Sequence, residues 1–308
     1  MITKIATKDR DEWKALRKKY IGGSDAGACV GMNPYKSAYS LWAEKTGRSP
    51  EFEGNLATDV GAYMEDFIAK RFEEETGKKV RRENHSIVND QYPWAIANYD
   101  RLIVGESAGL ECKFTDSINL KRYKNGEFPE RFYAQCVHYL AVSGKKRWYL
   151  AVLIGNKEFK WFCIERDEDE IASLMQAEKE VFDHIQNDTP PEADGSDSTA
   201  DAIEEIYPES NDSTVDLSIL QPDLELYDQA TIRIKEMEKI RDECANKIKS
   251  FMGVSGTGLS SKFRVSFNTQ RRTSYDFKKI AMDHPEIDFS GYQKTTQFRM
   301  FKINRIEK

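Results

Sequence analysis

The chain has 308 residues, 39% of them hydrophobic and 32% charged, with a formal net charge of −6, enough for one large core or two unequal ones. Five scattered cysteines (Cys29, Cys112, Cys136, Cys163, Cys244) with no C-x-x-C pair argue against a disulfide framework and against zinc or iron–sulfur sites. No run approaches the roughly 18 apolar residues of a membrane span and the first 20 residues lack an apolar signal core, so a soluble, cytoplasmic protein without a membrane partner is expected.

The charge is unevenly spread. Residues 188–228 hold 13 acidic residues and no Lys or Arg, whereas residues 229–308 hold 17 Lys and Arg against nine Asp and Glu. A near-neutral body followed by a basic tail is compatible with DNA binding, although composition alone does not establish it.

In chain order, a helix is predicted over 10–19, then a turn at Ile21-Gly22-Gly23 and a short helix opened by Ser24 and Asp25. Ser37 opens a further helix through Lys45, closed by Gly47. Leu56, Val60, Tyr63, Met64, Phe67, Ile68 and Phe72 recur at helical spacing over 56–76 and should pack as one stripe on a sheet. Strands follow at 85–88, 94–104 and 109–114, then a helix over 129–142, a hairpin of 147–154 and 158–164, and a helix over 167–187. This order is that of an α/β domain with a mixed sheet. The acidic stretch reads as a solvated linker, with a short helix near 200–207. Beyond it, a long amphipathic helix over 223–251, a strand at 262–268, a helix near 276–282 and a strand near 298–303 predict a small α+β unit. The expected division is therefore 1–190, an acidic linker 191–222, and an accessory region 223–308.

The chemistry concentrates on two adjacent segments, Asn98-Tyr99-Asp100 and Leu110-Glu111-Cys112-Lys113. Strand alternation puts Glu111 and Lys113 on one face and turns Cys112 to the other, its carbonyl beside the carboxylates. If the strands pair, Asp100 sits beside Glu111. Two carboxylates and a carbonyl make a hard oxygen site suited to Mg²⁺, with Mn²⁺ equally compatible. Lys113 adds a cation to orient a water or offset charge on a phosphate. A bare E-x-K would be the solvated face of a strand, but the apolar residues flanking Asp100, Ala95-Ile96-Ala97 and Leu102-Ile103-Val104, make an unliganded carboxylate there costly. Glu65 is a third carboxylate, in the middle of the long helix, where spacing alone reads it as surface.

Together, Arg17, Ile21-Gly22-Gly23-Ser24-Asp25, Gly61-x-x-x-Glu65, Asn98-x-Asp100, Leu110-Glu111-Cys112-Lys113 and Tyr133-Ala134-Gln135-x-x-x-Tyr139 resemble the YqaJ-type viral recombinase family. These are relatives of lambda exonuclease in the PD-(D/E)XK superfamily, and the resemblance spans about residues 10–187. It implies a restriction-endonuclease-like core and a 5′-to-3′ exonuclease acting processively on linear double-stranded DNA ends. It also implies a homotrimer and a single-strand annealing protein as partner. Residue by residue, it assigns Asp100, Glu111 and the Cys112 carbonyl to the metal, Lys113 as the catalytic lysine, and Glu65 near the metals. Gln135 would project toward the site from the following helix. Arg17, Ser24 and Tyr139 would receive the DNA end, its 5′-phosphate held by the arginine and helix amides. Arg101, after the catalytic aspartate, is expected to point to the opposite face and leave the site intact.

The five tryptophans read as core residues and His138 as a lone histidine rather than a metal ligand. The region after 190 lies outside the core of the resemblance. Clamping DNA through Arg264, Arg271 and Arg272, contacting the annealing partner and modifying assembly all remain open for it. An endonuclease or structure-selective nuclease on the same strands, and a non-catalytic DNA-binding scaffold, are the competing readings.

Overall fold

The structure is a computed structural model that describes residues 1–308 except 51, 117–122, 124–126, 289, 293, 295, 297 and 304–308, and of Lys278 the backbone alone. It divides into two compact units, Met1–Tyr207 and Pro208–Lys308.

Among the described residues, the first unit holds two sheets. One has the order β1-β4-β5-β2, built from β1 (Ile2–Ile5), β2 (Ile21–Gly22), β4 (Ser86–Asn89) and β5 (Tyr92–Ala97). The other has the order β3-β6-β7-β8-β9, with β3 (Val80–Arg81), β6 (Arg101–Ile103), β7 (Ala108–Thr115), β8 (Arg147–Ile154) and β9 (Glu158–Glu165). The β7–β8 pair is parallel and its flanking pairs are antiparallel, so the sheet is mixed. The two-residue strands β2 and β3 are too short to leave a periodic signal in the sequence.

The continuous strand predicted over 94–104 is broken. The chain leaves one sheet at Ala97 and joins the other at Arg101, with Asp100 at the crossing. Apolar runs on both sides, Ala95-Ile96-Ala97 and Leu102-Ile103-Val104, read as one strand, and the polar residues between them, Asn98, Asp100 and Arg101, mark the break.

Helix α5 (Glu130–Ser143) is apolar nearly all round and covers one face of β8, ending at Gly144 with φ 66°. Trp148, Leu150, Val152 and Ile154 point to α5, while Tyr149 and Ala151 point to the other side, where they meet α4 (Leu56–Thr76). Each such large buried side chain contributes about 1.5–3 kcal/mol. The stripe predicted along α4 is only partly used: Ile68, Ala69 and Phe72 are buried, whereas Leu56, Tyr63 and Phe67 are exposed.

Helix α6 (Glu168–Gln186) is joined to α5 by a buried pair, His138 Nδ1 lying 2.8 Å from Glu178 Oε1 and His138 Nε2 lying 3.0 Å from the Ile96 carbonyl. A carbonyl only accepts, so Nε2 carries a proton. Burial works against the imidazolium, but Glu178 outweighs it and raises the His138 pKa above its ordinary value. His138 is thus a core residue.

The first unit continues past the expected boundary at 190. Helix α7 (Asp197–Ile206) buries Thr199 and Ala202 against α3 (Ala38–Lys45), and Thr199 Oγ1 donates to Ser37 Oγ at 2.7 Å. These contacts turn part of the acidic stretch into structure. The first unit also contains α1 (Arg10–Lys18) and α2 (Gly23–Cys29).

In the second unit, α8 (Gln221–Met252) runs longer than predicted and is followed by the hairpin β10 (Thr257–Leu259) and β11 (Arg264–Ser266), then α9 (Phe277–Asp283). The strand expected over 298–303 does not form. Among the described residues, no helix is long and apolar enough to cross a membrane.

His138→Ala should leave Glu178 buried without its partner, its Oε2 already lacking one. The expected loss is about 3–5 kcal/mol, measured by urea unfolding. Because the His138 pKa is raised in the folded state, its contribution should be full below the ordinary value of 6.5 and fade as pH climbs through the raised one.

Candidate active site

The site begins with the register of β6 against β7, where Arg101 lies opposite Leu110. Continuing that antiparallel register one step places Asp100 opposite Glu111. The Cys112 N–H donates to Asp100 Oδ2 at 2.7 Å, so the carboxylate takes a backbone donor that β6 leaves free as it ends. Alternation along β7 sends Leu110 and Cys112 into the cluster under α4 and turns Glu111 and Lys113 toward α5.

Glu111 is buried, and only one of its oxygens is occupied. Oε1 accepts from Gln135 Nε2 at 2.8 Å and lies 2.5 Å from Lys113 Nζ. Oε2 is buried with no partner. Burial and the neighbouring Glu111 push the Asp100 pKa well above the carboxylate range, Lys113 offsetting part of this. Burial disfavours the Lys113 ammonium, but Glu111 and Asp100 more than compensate and raise its pKa. Two crowded carboxylates with one oxygen unsatisfied lack positive charge, and this donor set fits a small hard cation that keeps several waters.

Gln135 is aimed by its surroundings. Its Nε2 also donates to the Tyr139 hydroxyl at 2.8 Å. The Tyr139 ring is wedged between Gly23, where a Cβ would lie 2.5 Å from it, and Trp148, with ring centroids 5.0 Å apart. Trp148 in turn fills the space left by Gly109, where a Cβ would come within 2.3 Å of the indole. Tyr139 is buried, so the expectation that it touches the DNA end is corrected: its place is behind Gln135.

Glu65 lines the same cavity as Asp100. Its carboxylate is engaged by Arg101, whose guanidinium reaches back to Glu65, to Asp66 and to the Asp100 carbonyl. Among the described residues, no group of three or more His, Cys, Asp or Glu converges to hold a metal. The carboxylates that β6 and β7 bring side by side are those of Asp100 and Glu111.

Arg17 and Ser24 do come together, Arg17 Nη2 donating to Ser24 Oγ at 2.7 Å while the guanidinium lies over the Trp13 ring. They line a cavity of about 380 Å³ with Lys36. Ser24 and Lys36 also line a cleft of about 870 Å³ that reaches Lys113, Gln135 and Arg131, with Asp201 and Glu205 of α7 along it. The two cavities share Ser24 and Lys36, and so connect the Arg17 pocket to Lys113 and Gln135.

A family model for the YqaJ-like viral recombinase domain matches residues 12–146. The uncharacterised protein YqaJ of Bacillus subtilis (strain 168) is 35% identical over 312 residues, covering 99% of this chain and 98% of that protein. The chain belongs to the YqaJ-like viral recombinase family. Among solved structures, LHK-Exo in complex with dAMP matches with a TM-score of 0.50 at 19% identity, covering 58% of this chain and 94% of that one. The alkaline exonuclease LHK-Exo from Laribacter hongkongensis gives 0.49 at 18% identity, with the same coverage of both chains. The likeness to the dAMP complex concerns the fold alone, a mixed sheet flanked by helices.

In this YqaJ-family chain, sequence reasoning missed Asp25 as more than a cap. It is buried, its Oδ2 accepts from the Gly22 N–H at 3.1 Å, and it lies 3.0 Å from Lys45 and 4.0 Å from Lys36. Burial alone would raise its pKa, but Lys45, Lys36 and Arg17 outweigh it and lower the value from 3.8 to about 2. Asp25 is the anion that allows three cations to crowd this wall. Acidic-first-turn spacing flags it only as a helix-start residue, because its partners come from other elements.

A depressed folded pKa gives stability that is present above the unfolded value and lost as pH falls through the folded one. Asp25→Asn should therefore cost about 2 kcal/mol at neutral pH. In urea unfolding, the gap between wild type and variant should close as pH drops from about 4 toward 2.

Proposed function

We propose that this YqaJ-family protein is a metal-dependent deoxyribonuclease centred on Asp100, Glu111 and Lys113, resecting linear double-stranded DNA 5′ to 3′ to supply single strands for recombination. The observation that carries the reading is the buried, unpartnered Glu111 Oε2 beside Asp100, with Lys113 on the other oxygen. An acidic pair of this kind is a standing cost to the fold unless a cation joins it. The name alkaline exonuclease borne by LHK-Exo points the same way.

Asp100 and Glu111 would hold Mg²⁺, or Mn²⁺, with the Cys112 carbonyl alongside. When bound, the ion lowers the pKa of a coordinated water and offsets charge on the scissile phosphate. Lys113 keeps its proton, its pKa being raised, and so presents an ammonium to the attacking water and the phosphate oxygens. Gln135 fixes Glu111 Oε1 and thereby directs Oε2 toward the cation. Arg17, Ser24 and Lys36 would receive the terminal phosphate at the far end of the shared cleft, with Arg131 along the path. The first unit, through Tyr207, would be the catalytic body, and residues 208–308 the accessory part. Assembly into a trimer and work beside a single-strand annealing protein, in the cytoplasm of a bacterial host, complete the reading.

Linear duplex labelled at either end, incubated with Mg²⁺ beside closed circular DNA, tests this directly. Early release of the 5′ label with the circle intact is expected, and Lys113→Ala should cut turnover by at least about 100-fold, the scale of losing a group that stabilises the transition state. Cleavage of the circle would favour an endonuclease; cleavage by Lys113→Ala at the wild-type rate would remove Lys113 from the site.

Tyr139→Phe separates positioning from DNA contact. Losing one hydrogen bond to Gln135 should lower kcat about 5-fold while leaving KM for DNA ends nearly unchanged. A raised KM with unaltered kcat would instead restore Tyr139 to the DNA-binding surface.

A further inference from the structure

We propose that α8 is the segment by which copies of this chain join, its apolar seam closing on the same seam of a second copy in a parallel, in-register coiled coil. The inference concerns the second unit alone and stands whether or not the first unit is a nuclease.

Helix α8 runs for 32 residues and none of them is buried. A helix in a folded protein draws most of its stability from an apolar face packed against something. The apolar residues of α8 fall on one seam. Tyr227, Ala230, Ile234, Met237, Cys244, Ile248 and Phe251, with Arg241 between Met237 and Cys244, are spaced alternately three and four residues apart. That is the 3.5-residue period of a coiled coil, in which Tyr227, Ile234, Arg241 and Ile248 take the a positions and Ala230, Met237, Cys244 and Phe251 the d positions. Of the eleven b, c and f positions between 228 and 250, ten are polar, Ile232 being the exception. At the first seam position Tyr227 meets Phe301, ring centroids 6.0 Å apart. Further along, Ile234, Met237, Ile248 and Phe251 are all exposed, Phe251 almost fully.

Charge selects the partner and its direction. The seam is flanked by Thr231, Glu238, Ala245 and Met252 at e and by Leu226, Arg233, Ile240 and Lys247 at g. In a parallel pair each g residue faces the e residue five places on in the other helix, so Arg233 meets the second copy's Glu238 and no like charges face each other. In a fully overlapped antiparallel pair g faces g and e faces e, which sets Arg233 against Lys247 and Glu238 against its own copy. The seam's one charged residue, Arg241, lies 3.6 Å from Glu238 and 3.1 Å from Asp242 of its own helix. A single polar residue at an a position fixes register at some cost in stability.

Cys244 supplies the probe, because it is exposed and parallel register brings it against its own copy. The full-length protein carrying Cys163→Ser is treated at micromolar concentration with a short bismaleimide, the products are sized on a denaturing gel, and the link is located by peptide mass spectrometry. A species of twice the chain mass, joined Cys244 to Cys244, is expected. It should form about tenfold faster than when Cys244→Ser and Lys239→Cys together move the thiol to the outer f position. Ile234→Asp with Met237→Asp, both on exposed residues, should abolish the link while leaving the near-ultraviolet circular dichroism spectrum native. Linkage no faster than from Lys239→Cys, or undiminished by the aspartates, would overturn the inference. An antiparallel pair would set Cys244 opposite Ile234, about 15 Å from its own copy at 1.5 Å per residue, and its missing Cys244–Cys244 link would overturn it too. The comparison with Lys239→Cys decides even if the aspartate variant fails to fold.

Discussion

The rest of the first unit depends on one constraint: Asp100 and Glu111 are held side by side against an apolar layer. Two carboxylates so placed repel each other and lose hydration, which is why burial and Glu111 together raise the Asp100 pKa. The protein relieves part of this. The Cys112 N–H takes one Asp100 oxygen, Gln135 and Lys113 share Glu111 Oε1, and Glu111 Oε2 is left alone. Native folds rarely leave a buried oxygen unpaired; Glu178 Oε2 is another, and what sets Glu111 apart is the second carboxylate crowded beside it.

That constraint explains features which look unrelated along the chain. Gln135 can serve Glu111 only if α5 keeps its distance from β7, and the spacing is set by an aromatic wedge. Gly109 admits Trp148, Trp148 supports the Tyr139 ring, Gly23 lets that ring approach α2, and the Tyr139 hydroxyl holds Gln135. One turn further along α5, the His138–Glu178 pair ties the helix to α6 and to the Ile96 carbonyl. A glycine on a strand, a glycine at a helix start and a buried histidine thus bear on one carboxylate oxygen. The chain spends much of its interior on fixing one geometry.

How much of this was legible in the sequence depended on the range of the interaction. Alternation along β7 was enough to put Glu111 and Lys113 on one face, because a strand's period is local. The 3.6-residue period located α4 and α8 within a residue or two of their ends, but it could not say that Tyr63 and Phe67 stay exposed. The break at Asp100 was passed over because the apolar runs on either side were joined across Asn98, Asp100 and Arg101. Arg101 was expected to point to the opposite face, and paired with Leu110 it does face α4; its meeting with Glu65 and Asp66 there depends on α4 being in place. Asp25 was visible as a helix-start residue, whereas its service to Lys36 and Lys45 needs α3 to be in place. The acidic stretch was read as linker by composition, and two buried contacts from α7 were enough to overrule that for part of it.

Net charge is a poor guide to partners for the same reason. A chain at −6 is unpromising for DNA if its charges are averaged. In the fold, Arg17, Lys36 and Arg131 come to one surface, and the nearest buried anion, Asp25, is neutralised by lysines. Of the other carboxylates on that surface, Glu44 is paired with Lys36, Glu53 lies beside both cavities, and Asp201 and Glu205 lie along the α7 side. A polyanion following the cleft would meet cations near Arg17 and Arg131 and repulsion along α7, so the acidic side would confine its path while the basic residues supply attraction. Acidic residues beside such a cleft do not contradict a nucleic-acid partner; they narrow the ways in which it can lie.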